Sequence, residues 1–177
     1  MAGNQVSTSP FSDTYEHEAY PLGATRLELA TEVRVGNSGV DTSATYSLLD
    51  GDRVWIFVQA AAAIAAGSLC KRNALTTPFV VAEDAASETN VWPNLVGIAD
   101  HAIASGSYGW IIKSGACVVE AETGVAAADL LASDGNNTAG EVDTIAAGAN
   151  TAVVGYALEA EGATTAGYAQ AMVHFPG

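Results

Sequence analysis

Short apolar runs separated by turn residues dominate the chain from residue 53 onward. Such runs are Val-Trp-Ile-Phe-Val at 54–58, Gly-Trp-Ile-Ile-Lys at 109–113 and Val-Val-Gly-Tyr-Ala at 153–157. Clusters rich in Ser, Gly, Asp and Asn, such as 105–107 and 134–137, lie between them. Apolar runs of four to eight residues with such boundaries are typical of strands. The pattern predicts an all-β fold, either a compact β-barrel or a sandwich.

The alanine-rich stretch at 60–66 is the one segment that also suits a helix. It ends at Gly67 within a few residues and lies between two strand-like runs. A helix this short is marginal, whereas glycine and alanine allow backbones to approach closely. We therefore expect a turn or a tight bend here.

The apolar runs recur in the same order, which suggests a duplicated β-unit. Three segments of the first half match three of the second half at separations of 55, 61 and 58 residues, namely 54–58 with 109–113, 64–70 with 125–131 and 95–99 with 153–157. A last segment, 167–175, would repeat the strand that opens each copy. The expected repeats are 53–107 and 108–177. Chance matching in a chain biased toward Ala, Gly and Val is the alternative explanation.

Residues 1–50 differ from the rest and are assigned to a separate N-terminal region, leaving 51–177 as the β-domain. Alternating polar and apolar positions at 26–35 predict one strand, with loops around it. Residues 1–25 are polar, with three separated aromatic side chains that cannot form a core alone, Phe11, Tyr15 and Tyr20. We expect an extended arm, either disordered or lying along a neighbouring molecule.

Charge excludes several classes of partner. The 177 residues contain 20 acidic and 6 basic side chains, for a net charge of −14. A surface of this sign does not displace counterions from phosphates, and anionic membranes repel it. We therefore expect no nucleic-acid partner and no membrane partner. The charge is uneven, because residues 73–177 carry Lys113 as their single basic side chain against twelve acidic ones.

Residue patterns that carry chemistry are scarce. The histidines at 17, 101 and 174 are scattered, and no phosphate-binding loop or nucleophile elbow is present. Glu120 and Glu122 would share one face of a strand, where a carboxylate pair could do acid–base work, although a solvated acidic face has the same pattern. We predict no catalytic residue, no metal site and no cofactor.

The large aromatic and sulfur-containing side chains point to a core. Trp55 and Trp110 each begin an apolar run and are predicted to be core residues, with a ligand-stacking platform as the alternative. Cys70 and Cys117 form no Cys-x-x-Cys pair, and the polar N-terminus does not have the pattern of a secretion signal. Buried free thiols are expected, with a disulfide as the alternative.

The order of several phrases resembles that in capsid decoration (cement) proteins of tailed bacteriophages, of the kind found in cyanophages and other aquatic phages. The phrases are Gly-Asp-Arg-Val-Trp-Ile-Phe-Val-Gln-Ala from residue 51, Gly-Ser-Tyr-Gly-Trp-Ile-Ile-Lys-Ser-Gly at 106–115 and Val-Val-Gly-Tyr-Ala-Leu at 153–158. The similarity covers roughly residues 51–177. That family often has a longer insertion between the two halves, which this chain lacks.

The resemblance implies a non-enzymatic virion protein made in the bacterial host cytoplasm and located on the outer capsid surface. Its partner would be the major capsid protein. A surface rich in alanine and valine with few charges should also leave apolar patches that contact further copies, and we expect a homotrimer where three capsid subunits meet, or alternatively a dimer at twofold positions. Residues expected to contact capsid or sister subunits are Phe11, Tyr15, Tyr20, Arg26, Arg34 and Arg53.

Two other functions stay open. A receptor-binding or head-fibre module of the same virion would use a loop patch, for which Trp92 and Tyr108 are the candidates. A small enzyme would use the Glu120 and Glu122 carboxylates.

Overall fold

The computed structural model describes residues 11, 13–29, 40, 46–85, 94–133, 138–145 and 152–175. The strands in these ranges join one ten-stranded sheet, which confirms the predicted all-β fold. The strands are β1 (Thr25–Glu28), β2 (Arg53–Ala60), β3 (Leu69–Ala74), β4 (Thr77–Glu83), β5 (Leu95–Ile98), β6 (Tyr108–Glu120), β7 (Leu130–Ala132), β8 (Asp143–Thr144), β9 (Val153–Ala157) and β10 (Tyr168–His174).

The sheet closes on itself in the first half of the domain. Its order runs β2-β4-β3-β5-β6, and β2 also pairs with β6. The β2–β4 contact is parallel and the others are antiparallel. We call β2, β3, β4 and β5, together with residues 108–114 of β6, the first ring. Closure of this kind leaves its strands without open edges.

The second half repeats this arrangement. Residues 114–120 of β6 pair with β10, and the order continues β10-β9-β7-β8. A parallel bridge from Ala121 to Val142 links the end of β6 to the start of β8. We call this group the second ring. The long strand β6 is therefore shared, closing the first ring with its beginning and opening the second with its end.

Backbone contacts show that the rings correspond position by position. The parallel pair Ala60–Val81 of the first ring and the bridge Ala121–Val142 of the second are both displaced by 61 residues. Such agreement of individual contacts requires the same strand path in both rings.

The hydrogen bonds at the start of β3 and of β7 extend the correspondence. Gly67 N–H donates to Ala99 O at 2.6 Å, and Ala128 N–H donates to Ala157 O at 2.9 Å. Gly67 and Ala128 both have positive φ, 88° and 72°. Ala128 is the only non-glycine residue with positive φ in the described part of the chain. The turn geometry is thus kept even where the residue type does not favour it.

Each ring has a glycine at the point where two strands approach closely. A Cβ added to Gly97 would lie 2.6 Å from the backbone oxygen of Ile112, and one added to Gly155 would collide with the backbone oxygen of Met172. Because backbone atoms cannot move aside as a side chain can, both sites require the absence of a Cβ.

The structure corrects one of the three predicted correspondences. The separations of 61 and 58 residues agree with the paired contacts, but 54–58 corresponds to 115–119 rather than to 109–113. The tryptophan run at 109–113 closes the first ring, and β10 occupies the same place in the second. The segment 167–175 therefore repeats the closing strand, not the opening one.

The predicted bend at 60–66 connects β2 to β3. Ile64 bridges to Ile103 with two backbone hydrogen bonds of 2.9 and 3.0 Å, and no helix occurs in this segment. The buried Ile64 side chain joins the core of the first ring.

One buried cluster lies inside the first ring, and a larger one fills the second ring and extends to first-ring residues such as Trp55, Leu69 and Trp110. Residues of β2, β3, β4, β5 and β6 form one cluster, including Ile56, Val58, Cys70, Val81, Val96 and Ile111. The corresponding residues of the second ring are Cys117, Val119, Leu131, Val142, Val154 and Ala171, and all six are buried. Equivalent positions therefore point to the core in both halves.

Candidate interaction surfaces

The N-terminal aromatic residues lie on the chain's own first ring. Phe11 stacks on Trp55 with ring centroids 4.6 Å apart and planes 9° apart. Tyr20 lies 5.1 Å from Trp110 and 5.3 Å from Phe57. Trp55 and Trp110 are only 2 % and 1 % exposed beneath this layer.

Backbone pairing holds this layer in place. Tyr15 and Tyr108 exchange two backbone hydrogen bonds of 2.9 and 2.8 Å, and β1 continues the sheet beside β2. The described residues of the predicted arm, 11 and 13–25, therefore lie on the chain's own first ring. Covering two tryptophans removes a large apolar area from water, which explains why the aromatic residues lie here. Their contact with a capsid or sister subunit stays a prediction.

The arginines predicted to make outer contacts are engaged within the chain. The Arg26 guanidinium lies 5.1 Å from the Phe11 ring centroid and 5.7 Å from that of Trp110, as cation–π contacts do. Arg53 is 2 % exposed, and its Nη1 lies 3.9 Å from Glu28 Oε2. Arg53 is thus buried within the chain, and its contact with a capsid or sister subunit stays a prediction. Arg34 lies outside the described residues.

Glu120 has a different carboxylate neighbour from the one predicted. Ser68 Oγ lies 3.3 Å from Glu120 Oε2 and 3.2 Å from Glu83 Oε1, whereas Glu122 follows the end of β6. Burial raises the pKa of Glu120, and Glu141 and Glu83 add to the rise. Sequence reasoning missed Glu83 because only the fold brings the ends of β4 and β6 to the same Ser68 hydroxyl. The cluster joins the two rings, and its buried hydroxyl has a structural role.

The histidines do not converge. His101 is 6 % exposed, and burial lowers its pKa to about 4, partly opposed by Asp13. His174 is exposed, with Nδ1 3.3 Å from Ser114 Oγ, and His17 is exposed on the N-terminal segment. Within the described ranges no group of three metal-ligating side chains is close enough to hold an ion.

The cysteines are free and fully buried. Burial raises the pKa of both thiols, and so both stay protonated and unreactive. This agrees with the expected buried thiols rather than with a disulfide.

An apolar groove lies on the outside of the second ring. Its volume is about 340 Å³, and β7, β9 and β10 line it with Leu130, Val153, Val154, Gly155, Tyr156, Met172, Val173 and His174. Leu130 is 53 % exposed and Tyr156 44 % exposed. Exposed apolar side chains gathered in a concave surface are typical of a binding site.

A second exposed feature is the β3–β4 hairpin. Residues 73–77 are all exposed, and Leu75 at the tip is 72 % exposed. The other predicted loop patch is not formed by described residues, since Trp92 lies outside them and Tyr108 stacks on Phe57 at 6.1 Å. The groove and the hairpin are therefore the surfaces best suited to a partner.

No described helix is long and apolar enough to span a membrane. No family model matches the chain, and no curated protein matches it. A solved structure with a similar arrangement is the head fibre gp8.5 N base of bacteriophage phi29, with a TM-score of 0.45 and 17 % identity over 68 % of this chain and 93 % of that one. Similarity at this level carries no argument about function.

Proposed function

We propose that this protein is a structural component of a phage virion. It binds the outer surface of an assembled capsid and stabilises the shell by bridging major capsid subunits. The observation that carries the proposal is the order of the phrases between residues 51 and 177, which resembles that of capsid decoration proteins. In this proposal the protein has no catalytic activity, is made in the host cytoplasm and is then located on the outer capsid surface.

The physical properties of the molecule support this role. Pairing of most strands into two rings limits edge-to-edge aggregation, and a net charge of −14 disfavours non-specific aggregation before the shell is assembled. The exposed groove and hairpin give two separate apolar contact sites.

Co-sedimentation with capsids tests the proposal. Expanded, mature-type capsids assembled without this protein should bind it and then resist a higher temperature before releasing their DNA. Heat-unfolded protein at the same concentration is the control. If such capsids bind none of the folded protein, the proposed function is wrong.

The number of copies bound separates this role from the head-fibre alternative. A cement covering the shell requires hundreds of copies per particle, whereas a head fibre or receptor-binding module requires tens or fewer. A particle reconstruction would also show whether the copies lie in threes, as expected for a homotrimer, or in pairs about twofold positions.

A further inference from the structure

The two rings meet through the start of β3. Glu120 N–H donates to Gly67 O at 2.8 Å, and Leu69 N–H donates to Gly140 O at 2.7 Å. A Cβ added to Gly67 would lie 2.8 Å from the Tyr168 ring. The second ring therefore covers this edge of the first.

No described segment covers the same edge of the second ring. Leu69, at the ring–ring junction, is 0 % exposed, whereas its counterpart Leu130 is 53 % exposed. Ile98 is 0 % exposed, and its counterpart Tyr156 is 44 % exposed. The groove thus lies on the face that, in the first ring, a copy of the same β-unit fills.

The opposite end of the molecule is closed by the N-terminal segment. Tyr108 and Phe79 are the first-ring counterparts of Tyr168 and Gly140, which contact the other ring. Tyr15 pairs with Tyr108, and a Cβ added to Gly23 would collide with the Phe79 ring. Tandem repeats commonly need such a terminal cap. This molecule has a cap at the first ring and an open apolar groove at the second.

The hairpin has the chemistry to fill that groove. Leu75 is the most exposed large apolar side chain in the described chain, and Lys71 and Arg72 precede it on β3. Glu83, at the end of β4 away from the tip, is the one acidic side chain of the two hairpin strands, whereas residues 114–175 include eight acidic residues and neither Lys nor Arg. An apolar tip with a basic stem therefore complements an apolar groove in an acidic ring, which gives electrostatic specificity to the contact.

We propose that the β3–β4 hairpin of one copy binds the second-ring groove of another copy, with Leu75 inserted between Leu130 and Tyr156. Because each copy offers one hairpin and one groove, the contact is heterologous, and successive copies close into a ring when the rotation permits. The contact does not depend on binding to a capsid. It also differs from a symmetric groove-to-groove dimer, in which the hairpin would have no part.

Two substitutions test the contact in the full-length protein without capsids. Leu75→Asp removes the apolar tip and Leu130→Asp places a charge in the groove. Both side chains are more than half exposed, and so the fold should persist, which circular dichroism checks. Sedimentation velocity over a wide concentration range should show self-association of the wild type, weakened about tenfold or more in each variant. Leu27→Asp, at a 57 % exposed position on β1, is the matched control and should associate like the wild type.

Mixing the two variants gives the decisive result. Each retains the surface that the other has lost, so an equal mixture should form a dimer through one intact hairpin and one intact groove. A Leu75→Cys, Tyr156→Cys double variant should also form disulfide-linked oligomers, since Cys70 and Cys117 are fully buried. A wild type that stays monomeric at every concentration would overturn the proposal. So would a Leu75→Asp protein that associates normally, or a mixture that stays monomeric.

Discussion

The two rings have the same backbone arrangement, but different side chains pack on the outside of each. Trp55, Phe57 and Trp110 lie on the outside of the first ring, beneath the aromatic residues of the N-terminal segment. Their counterparts in the second ring are Ala116, Val118 and Gln170, also buried. The same ladder of hydrogen bonds therefore accepts very different side-chain volumes, provided that another segment completes the packing.

The residues that cover the outside of the second ring also differ from those that cover the first. Tyr46 and Leu49 pack against Ala116 and Val118 in the second ring, where the small side chains leave room for them. Gln170 is 1 % exposed and its amide is satisfied, donating to Glu159 Oε2 at 2.8 Å and accepting from Leu48 N–H at 2.8 Å. The first ring thus depends on aromatic stacking, and the second depends partly on a polar network.

Trp110 and Gln170 occupy equivalent positions on the closing strands of the two rings. Truncating each to alanine should show how much aromatic stacking and the polar network stabilise the fold, and the loss should be larger in the first ring. Trp110→Ala should lower the free energy of unfolding by roughly 3–5 kcal/mol, because it leaves a cavity below the N-terminal segment. Gln170→Ala should cost roughly 1–3 kcal/mol, because Glu159 and Leu48 N–H lose a buried partner. Urea unfolding followed by circular dichroism measures both. Equal losses would contradict the contrast drawn between the rings.

Acid should change the stability of the protein in opposite directions through His101 and Glu120. Burial holds His101 neutral in the folded protein with a pKa of about 4, whereas the unfolded chain binds its proton near pH 6.5. Stability from this group is therefore present above pH 6.5 and is lost as the pH falls toward 4. At pH 5 the loss should be on the order of 1–2 kcal/mol, and His101→Gln should remove it.

Glu120 has the opposite dependence. Its raised pKa means that the folded state holds the proton more tightly, so this group lowers stability as the pH rises above its usual value of 4.5. In thermal melts at a series of pH values, Glu120→Gln should remove that decrease. If His101→Gln left the loss of stability between pH 6.5 and 5 unchanged, the assignment to His101 would be wrong.

The smallest change in stability should come from the equivalent turns at Gly67 and Ala128. Ala128→Gly relieves a positive φ of 72° and should raise the free energy of unfolding by about 0.5–1 kcal/mol, the strain relieved being partly offset by the greater freedom of the unfolded chain. Gly67→Ala should lower it by about 1 kcal/mol or more, because the φ of 88° is strained for alanine and the new Cβ meets Tyr168. Denaturant midpoints should therefore move in opposite directions. Shifts of the same sign would show that the two turns are not equivalent.

Much of the strand content could be predicted from the residues, but the pairing could not. The runs at 54–58 and 109–113 look alike because each contains tryptophan before apolar residues. In the structure they pair with each other instead of occupying equivalent places. Local composition carries no information about which strand a run will face, since pairing joins residues far apart in sequence.

The surfaces were predictable to different degrees. That Trp55 and Trp110 form a core follows from their apolar runs, but nothing in residues 1–25 indicates that Phe11 reaches Trp55. The groove around Leu130 and Tyr156 could not be found from the sequence, because their counterparts Leu69 and Ile98 are equally apolar and yet buried.

The sequence by itself determined that short strands separated by tight turns make up the domain, because these depend on side-chain alternation and on residues that favour tight turns. Only the tertiary structure decided that β6 serves both rings, that the N-terminal segment covers the first of them, and that the matching face of the second stays open. Each of these depends on which surfaces meet in space. A given apolar residue is buried or exposed according to whether another part of the chain reaches it.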